Sequence, residues 1–141
     1  MNRVLLIGII TLTIFSCKKK EFDYTSPETY LAGDVSKNWY LAEYYINDIP
    51  RPIDACKSDN KMVLVADKTF QIIGGSNVCF VGEPNVIESG EWRVSSDDKT
   101  FYLFGINAFG YEANIELIND TRLELVEYGY FENHKYVYIA R

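Results

Sequence analysis

The chain has 141 residues, with 14 basic against 20 acidic side chains and a formal net charge of −6. That length makes one domain with a proper core, and the acidic balance argues against nucleic acid, because no basic patch is present to displace phosphate counterions. One His and three Cys, without a C-x-x-C or a His pair, do not make the four ligands of a structural zinc. Neither a metal nor a cofactor is expected.

The chain begins "MNRVLLIGIITLTIFSCKKK". Arg3 supplies a short positive region, and Val4 to Phe15 is apolar apart from Gly8, Thr11 and Thr13. A helix needs roughly 20 residues to cross a bilayer core, so this shorter run suits the apolar centre of a secretory signal. Ile14-Phe15-Ser16-Cys17 resembles the bacterial lipobox, with an aliphatic residue three before a Cys and a small residue just before it. In that chemistry the Cys17 sulfur takes a diacylglycerol, cleavage removes residues 1–16, and the freed amine can be acylated in turn. Several buried chains at about 0.8 kcal/mol per CH₂ then hold the protein on the membrane. The alternatives are a plain signal peptide with an incidental Cys, and an uncleaved anchor. Lys18 is not the Asp that holds some lipoproteins in an inner membrane, and three lysines rather than acidic residues follow the Cys. The expected location is the outer membrane, in its periplasm-facing leaflet.

An exported chain with an odd number of Cys needs an explanation. Assigning Cys17 to lipid leaves Cys56 and Cys79 as a pair in an oxidising compartment, with two free buried thiols as the other reading. Residues 17–36 are polar, lack a clear period and contain Pro27 and Gly33. They are read as the lipidated Cys and a tether, with one helical turn around Glu28 to Ala32.

From Lys37 onward, apolar and aromatic runs separated by turn signals predict strands. "NWYLAEYYIN" (38–47) puts Trp39, Leu41 and Tyr45 on one face and Tyr40, Tyr44 and Ile46 on the other. "KMVLVA" (61–66) and "TFQIIG" (69–74) flank a tight Asp67-Lys68 hairpin, and a loop holding Cys79 and Pro84 follows. In "VIESGEWRV" (86–94), Trp92 and Val94 face away from Glu91 and Arg93. Ser95 to Lys99 turns into "TFYLFG" (100–105), and "YEANIELI" (111–118) places Tyr111, Ala113, Ile115 and Leu117 together. After the turn Asn119-Asp120-Thr121, "RLELVEY" (122–128) sends Leu123 and Leu125 inward, and "KYVYIA" (135–140) closes the chain. Eight antiparallel strands with short connections favour a closed up-and-down barrel, residues 37–141, over a sandwich with long crossings.

The pieces "KNWYL", Cys56 with Asp59 and Phe70, Cys79, "SGEWRV" (89–94) and "IELINDTRLEL" (115–125) occur in an order that resembles the lipocalin-like domains of small lipoproteins from Bacteroidetes-type bacteria. The likeness covers residues 37–140. That family commonly has Gly directly before the first-strand Trp region, whereas Gly33 here stands well upstream of Trp39. The resemblance implies an eight-stranded up-and-down barrel and a Cys56–Cys79 disulfide, and it names no ligand.

Catalysis is not expected. His134 is placed in a turn, without a G-x-S-x-G elbow to supply a nucleophile. Glu88, Glu91, Glu112 and Glu116 alternate with apolar residues and read as a wet outer face. "GGSN" (74–77) reads as a loop tip rather than a phosphate loop. Binding rests on the aromatics: eleven Tyr, eight Phe and two Trp. Trp39, Leu41, Phe70, Trp92, Phe101, Leu103, Leu123 and Leu125 are inward, as core or as the lining of a ligand site. Ile72, Val94, Ile115 and Leu117 complete the inward set. Tyr128, Tyr130 and Phe131 form a candidate exposed patch. Two functions follow: a carrier of a small hydrophobic molecule, or an interaction module whose loops grip a protein. A filled barrel with at most a shallow cup at one end is the expected interior.

Overall fold

The computed structural model describes residues 25–141. Cys17, the signal segment and the Lys18–Lys20 run lie outside the described residues.

The strands are β1 (Ser36–Ile46), β2 (Ile49–Arg51), β3 (Lys61–Val65), β4 (Thr69–Ile73), β5 (Val86–Val94), β6 (Thr100–Gly105), β7 (Gly110–Ile118), β8 (Arg122–Tyr128) and β9 (Asn133–Ala140). Each of β3 to β9 pairs antiparallel with its chain neighbour, and β1 pairs with both β3 and β9. This is a closed eight-stranded antiparallel barrel. β2 is one extra strand, hydrogen-bonded only to the far half of β1, where Tyr44 to Ile46 oppose Arg51 to Ile49. Its hairpin turns on Asn47 and Asp48, both at positive φ (49° and 62°), the conformation that matches strand twist in a two-residue turn.

The connections around residues 66–68, 95–99 and 119–121 lie at one end of the barrel. That end is stopped by α1 (Pro27–Ala32), which packs against β1, β3 and β7. β3 and β7 stand on opposite sides of the ring of strands, so the helix lies across the bore. Pro27 starts it without losing a hydrogen bond, and Gly33, at φ 62°, ends it by donating its N–H to Thr29 O at 2.8 Å. Leu31 and Ala32 are buried with Trp39, Met62 and Leu64. The Trp92 indole donates to Val65 O at 2.9 Å, and Lys68 pairs with Glu28 at 2.6 Å over the same end. The tether reading of residues 17–36 is therefore corrected over its described part: the helix is a packed element, because its one apolar turn fills the barrel's end.

Seven of the eight inward residues named from sequence are buried; Leu41 is half-buried. Facing assignments in three strands are corrected. The β1–β9 register shifts between Leu41 and Glu43, which reverses the alternation. Tyr45 therefore leaves the Trp39 face, sits opposite Lys135 and donates a hydrogen bond to Glu43, whereas Tyr44 comes opposite Tyr136. A second shift between Ile115 and Leu117 brings Leu117 opposite Glu124, 40% exposed, and lets Ile118 pack on the core instead. Glu88 is not on a wet face. It is 9% exposed, opposite Ile72, and its Oε1 accepts from Ser89 N at 2.9 Å and Asn107 Nδ2 at 3.4 Å.

Candidate functional site

The other end of the barrel gathers the Asn47-Asp48 turn and the loops 52–60, 74–85, 106–109 and 129–132. These connections follow the far ends of β1, β2, β4, β6 and β8, opposite α1. Inside this end lies a cavity of about 180 Å³ whose wall includes Trp39, Leu41, Met62, Leu103, Leu125 and Tyr111. A second hollow of about 250 Å³ shares Leu41 and Lys57 with the first and adds Tyr44, Pro52 and Tyr136. Of the inward residues named from sequence, Trp39, Leu41, Ile72, Leu103 and Leu125 line the cup. Phe70, Trp92, Phe101 and Leu123 do not line it; they fill the core below. The barrel is thus filled in its closed half and hollow in the other.

The loops that frame the mouth are fastened together. A disulfide joins Cys56, in the 3-10 turn Ala55–Lys57, to Cys79, with Cα atoms 4.9 Å apart. Asp59 Oδ2 accepts from Ser76 N at 2.7 Å, Ser76 Oγ at 2.8 Å and Asn77 N at 3.2 Å. Those Ser76 bonds hold the Asp59 carboxyl below the usual carboxylate range. Asn60 Oδ1 accepts from Gly75 N at 2.9 Å. A Cβ on Gly75 would stand 2.1 Å from Asp59 Cγ, so only glycine lets the two loops meet this closely. The "GGSN" stretch is accordingly a clamped loop. The cross-link holds Lys57 at the cup's wall, where its ammonium pairs with Asp54 at 2.8 Å.

Above the apolar floor stands a tyrosine-rich wall. The Tyr44 and Tyr136 rings stack at 5.2 Å, and Tyr111 meets Tyr136 edge-on at 6.2 Å. Tyr44 Oη lies 2.7 Å from His134 Nδ1, and Tyr136 Oη donates to Glu127 Oε2 at 3.2 Å. His134 is therefore corrected from a solvated turn to a half-buried residue of β9 stacked beside Tyr136. The Tyr111 hydroxyl is buried and has no hydrogen-bond partner. Burial, then Tyr138, Glu127 and Tyr136, push its pKa far up. Burial and Glu127 push Tyr138 up to about 12. Both phenols are neutral throughout the physiological range.

The rim is apolar. Tyr130 and Phe131, on the β8–β9 loop, are 95% and 86% exposed and meet edge-on at 4.8 Å. Tyr128, the third member of the expected patch, is exposed and donates to Glu116 Oε1 at 2.8 Å. Phe80, Val81 and Ile106, on two other loops of the same end, are also exposed. Sequence reasoning missed these three and the wall tyrosines Tyr44, Tyr136 and Tyr138. The run Val78 to Val81 was an available signal, since an apolar stretch beside a cross-linked Cys has little reason to face water. Comparison with known proteins adds no assignment: no family model, curated protein or solved structure matches the chain.

Proposed function

We propose that this chain is a non-catalytic binding protein of the cell envelope, lipid-anchored through Cys17, that takes a small apolar ligand in the open end of a lipocalin-like barrel. The observation that carries the reading is the half-hollow interior. A cup of about 180 Å³ floored by Trp39, Met62, Leu103 and Leu125 sits at the mouth, while the closed half is packed solid. An engineered apolar cavity of about 150 Å³ is enough to take benzene, so this volume suits a single ring rather than a whole acyl chain. The anchor suits the same reading. α1 enters at the closed end, so the mouth points away from the point where the tether leaves. Residues 18–26 span at most roughly 30 Å when extended, which leaves the mouth free of the membrane that holds the protein.

The test has two parts. Saturable binding of a monocyclic hydrocarbon, abolished by Leu103→Trp, is expected; absence of binding to the wild type would remove the ligand reading. Cys17→Ala is expected to stop lipid labelling and membrane retention, and normal retention would remove the anchor.

A second reading is favoured by the exposed rim, where Tyr130, Phe131, Phe80, Val81 and Ile106 share one end. Apolar groups clustered in this way suit a protein partner seated over the mouth. Loss of a co-purifying envelope protein in a Tyr130→Ser, Phe131→Ser variant, with hydrocarbon binding unchanged, would move the assignment to an interaction module.

A further inference from the structure

Among the described residues, the cup has one fully buried hydroxyl that is left without a partner. Tyr44, Tyr45, Tyr128 and Tyr136 all have a partner for the hydroxyl, but Tyr111 has none although its oxygen is buried. A buried hydroxyl without a partner weakens the fold, so such groups are rare unless something outside the chain completes them. Tyr111 is well fixed. It lies opposite Leu103 in the β6–β7 ladder, with its ring edge-on to Phe101 at 6.5 Å and to Tyr136 at 6.2 Å. Tyr111 also lines the cavity, so a ligand seated there rests against the residue whose hydroxyl lacks a partner.

The charges around it select the kind of partner. The ionic group that acts on Tyr111 is the Glu127 carboxylate, and no cation is among its influences. Two lysines also line the cavity, Lys57, which is held by Asp54 at 2.8 Å, and Lys61, but neither is among the groups that act on the Tyr111 hydroxyl. An anionic group bonded to that hydroxyl would therefore lose its water and face the Glu127 carboxylate. A neutral oxygen meets neither penalty.

Accepting the cup as a ligand site, we propose that its ligand is an uncharged, single-ring-sized molecule bearing an oxygen acceptor, and that Tyr111 Oη donates the hydrogen bond that selects it. A cyclic ketone, ether or alcohol fits; a fatty acid and a bare hydrocarbon fit less well. Tyr111 is a specificity-determining residue, set in a wall whose remaining groups contribute contact area.

The experiment titrates the purified full chain with cyclohexanone, methylcyclohexane and cyclohexanecarboxylate, in the wild type and in Tyr111→Phe. The variant is expected to lower cyclohexanone affinity about tenfold and to leave methylcyclohexane affinity unchanged. It should also melt higher than the wild type without ligand, because the orphaned hydroxyl is gone. The carbonyl stretch of cyclohexanone bound to the wild type should fall below its frequency in hydrocarbon solvent, a readout that does not depend on the variant folding. An unshifted stretch, an unchanged affinity ratio, or tightest binding of the carboxylate would each overturn the proposal while leaving the cup as an apolar site. Binding of none of the three would overturn the ligand reading beneath it as well.

Discussion

The indole N–H of Trp39 donates to the Leu31 carbonyl oxygen at 2.8 Å, which ties the first barrel strand to the helix that stops its closed end. Both side chains are fully buried. The bond satisfies one of the carbonyls that a short helix leaves open at its C-terminus, and it gives a buried indole the partner it needs. The segment that precedes the barrel is thus built into it at the last turn of the helix.

Leu31→Ala should consequently behave as a core substitution and cost about 2–5 kcal/mol. Urea unfolding of the full chain measures it. A loss within the few tenths typical of a surface change would show α1 to be part of the tether.

The Cys56–Cys79 bridge spans 23 residues of sequence and fastens the two longest loops of the mouth. Peptide mapping without reductant should recover the two cysteines in one cross-linked fragment. Its removal by Cys56→Ser, Cys79→Ser should cost about 2–5 kcal/mol, and should weaken cup binding more than a substitution of equal cost in the closed half. Two alkylatable thiols in the native protein would contradict the pairing.

Glu124 makes one stretch of the outer surface sensitive to acid. It pairs with Lys135 and with Arg122 at 2.7 Å, and Arg122 also reaches Glu43 at 3.5 Å, over the buried Val137. Burial pushes the Glu124 carboxyl up, but the bonds from Lys135 and Arg122 outweigh it and leave the pKa below its ordinary 4.5. A depressed folded pKa gives stability that is complete above the unfolded value and is lost as pH falls through the folded one. Glu124→Gln should therefore unfold at lower urea than the wild type at pH 7, with the gap closing as pH drops below about 4.5. A gap that stays constant into acid would show that the carboxylate's charge is not what the site uses.

Strand positions were legible because each run alternates apolar and polar residues between turn signals, and the alternation buries Met62 and Leu64, Phe101 and Leu103, and Leu123 and Leu125. β2 was not legible: Ile49, Pro50 and Arg51 are all exposed, and Pro argues against a ladder position. The bulges were also hidden, since an inserted residue leaves composition unchanged while exchanging faces. That is why the alternation does not place Tyr44 and Tyr136, which stand opposite each other on the neighbouring strands β1 and β9, on one wall. Glu88 is a different case, because it shares the parity of Trp92 and its inward direction could have been read from the alternation. The helix plug depends on three buried residues, Pro27, Leu31 and Ala32, in a six-residue turn, too little to distinguish a packed element from a solvated one without the barrel beneath it.

Trp92 and Leu103 separate the solid half of the barrel from the hollow one. Trp92 is fully buried, bonded through its indole to Val65 O, and covered by the Lys68 ammonium 4.2 Å from its ring; it does not line the cup. Leu103 sits opposite it in the β5–β6 ladder but forms part of the cup's wall. Trp92→Ala should therefore open a cavity where none exists and cost about 3–5 kcal/mol, with the affinity of an apolar fluorescent probe for the mouth unchanged. Leu103→Phe should do the reverse. Its added volume points into space that is already empty, so the overpacking penalty of about 1–3 kcal/mol seen in tight cores should be largely absent, while probe binding should fall several-fold. Unfolding in urea and probe titration of both variants decide the matter. Equal stability losses with no effect on binding would mean that the cup is not where small molecules enter, and that the exposed rim carries the recognition.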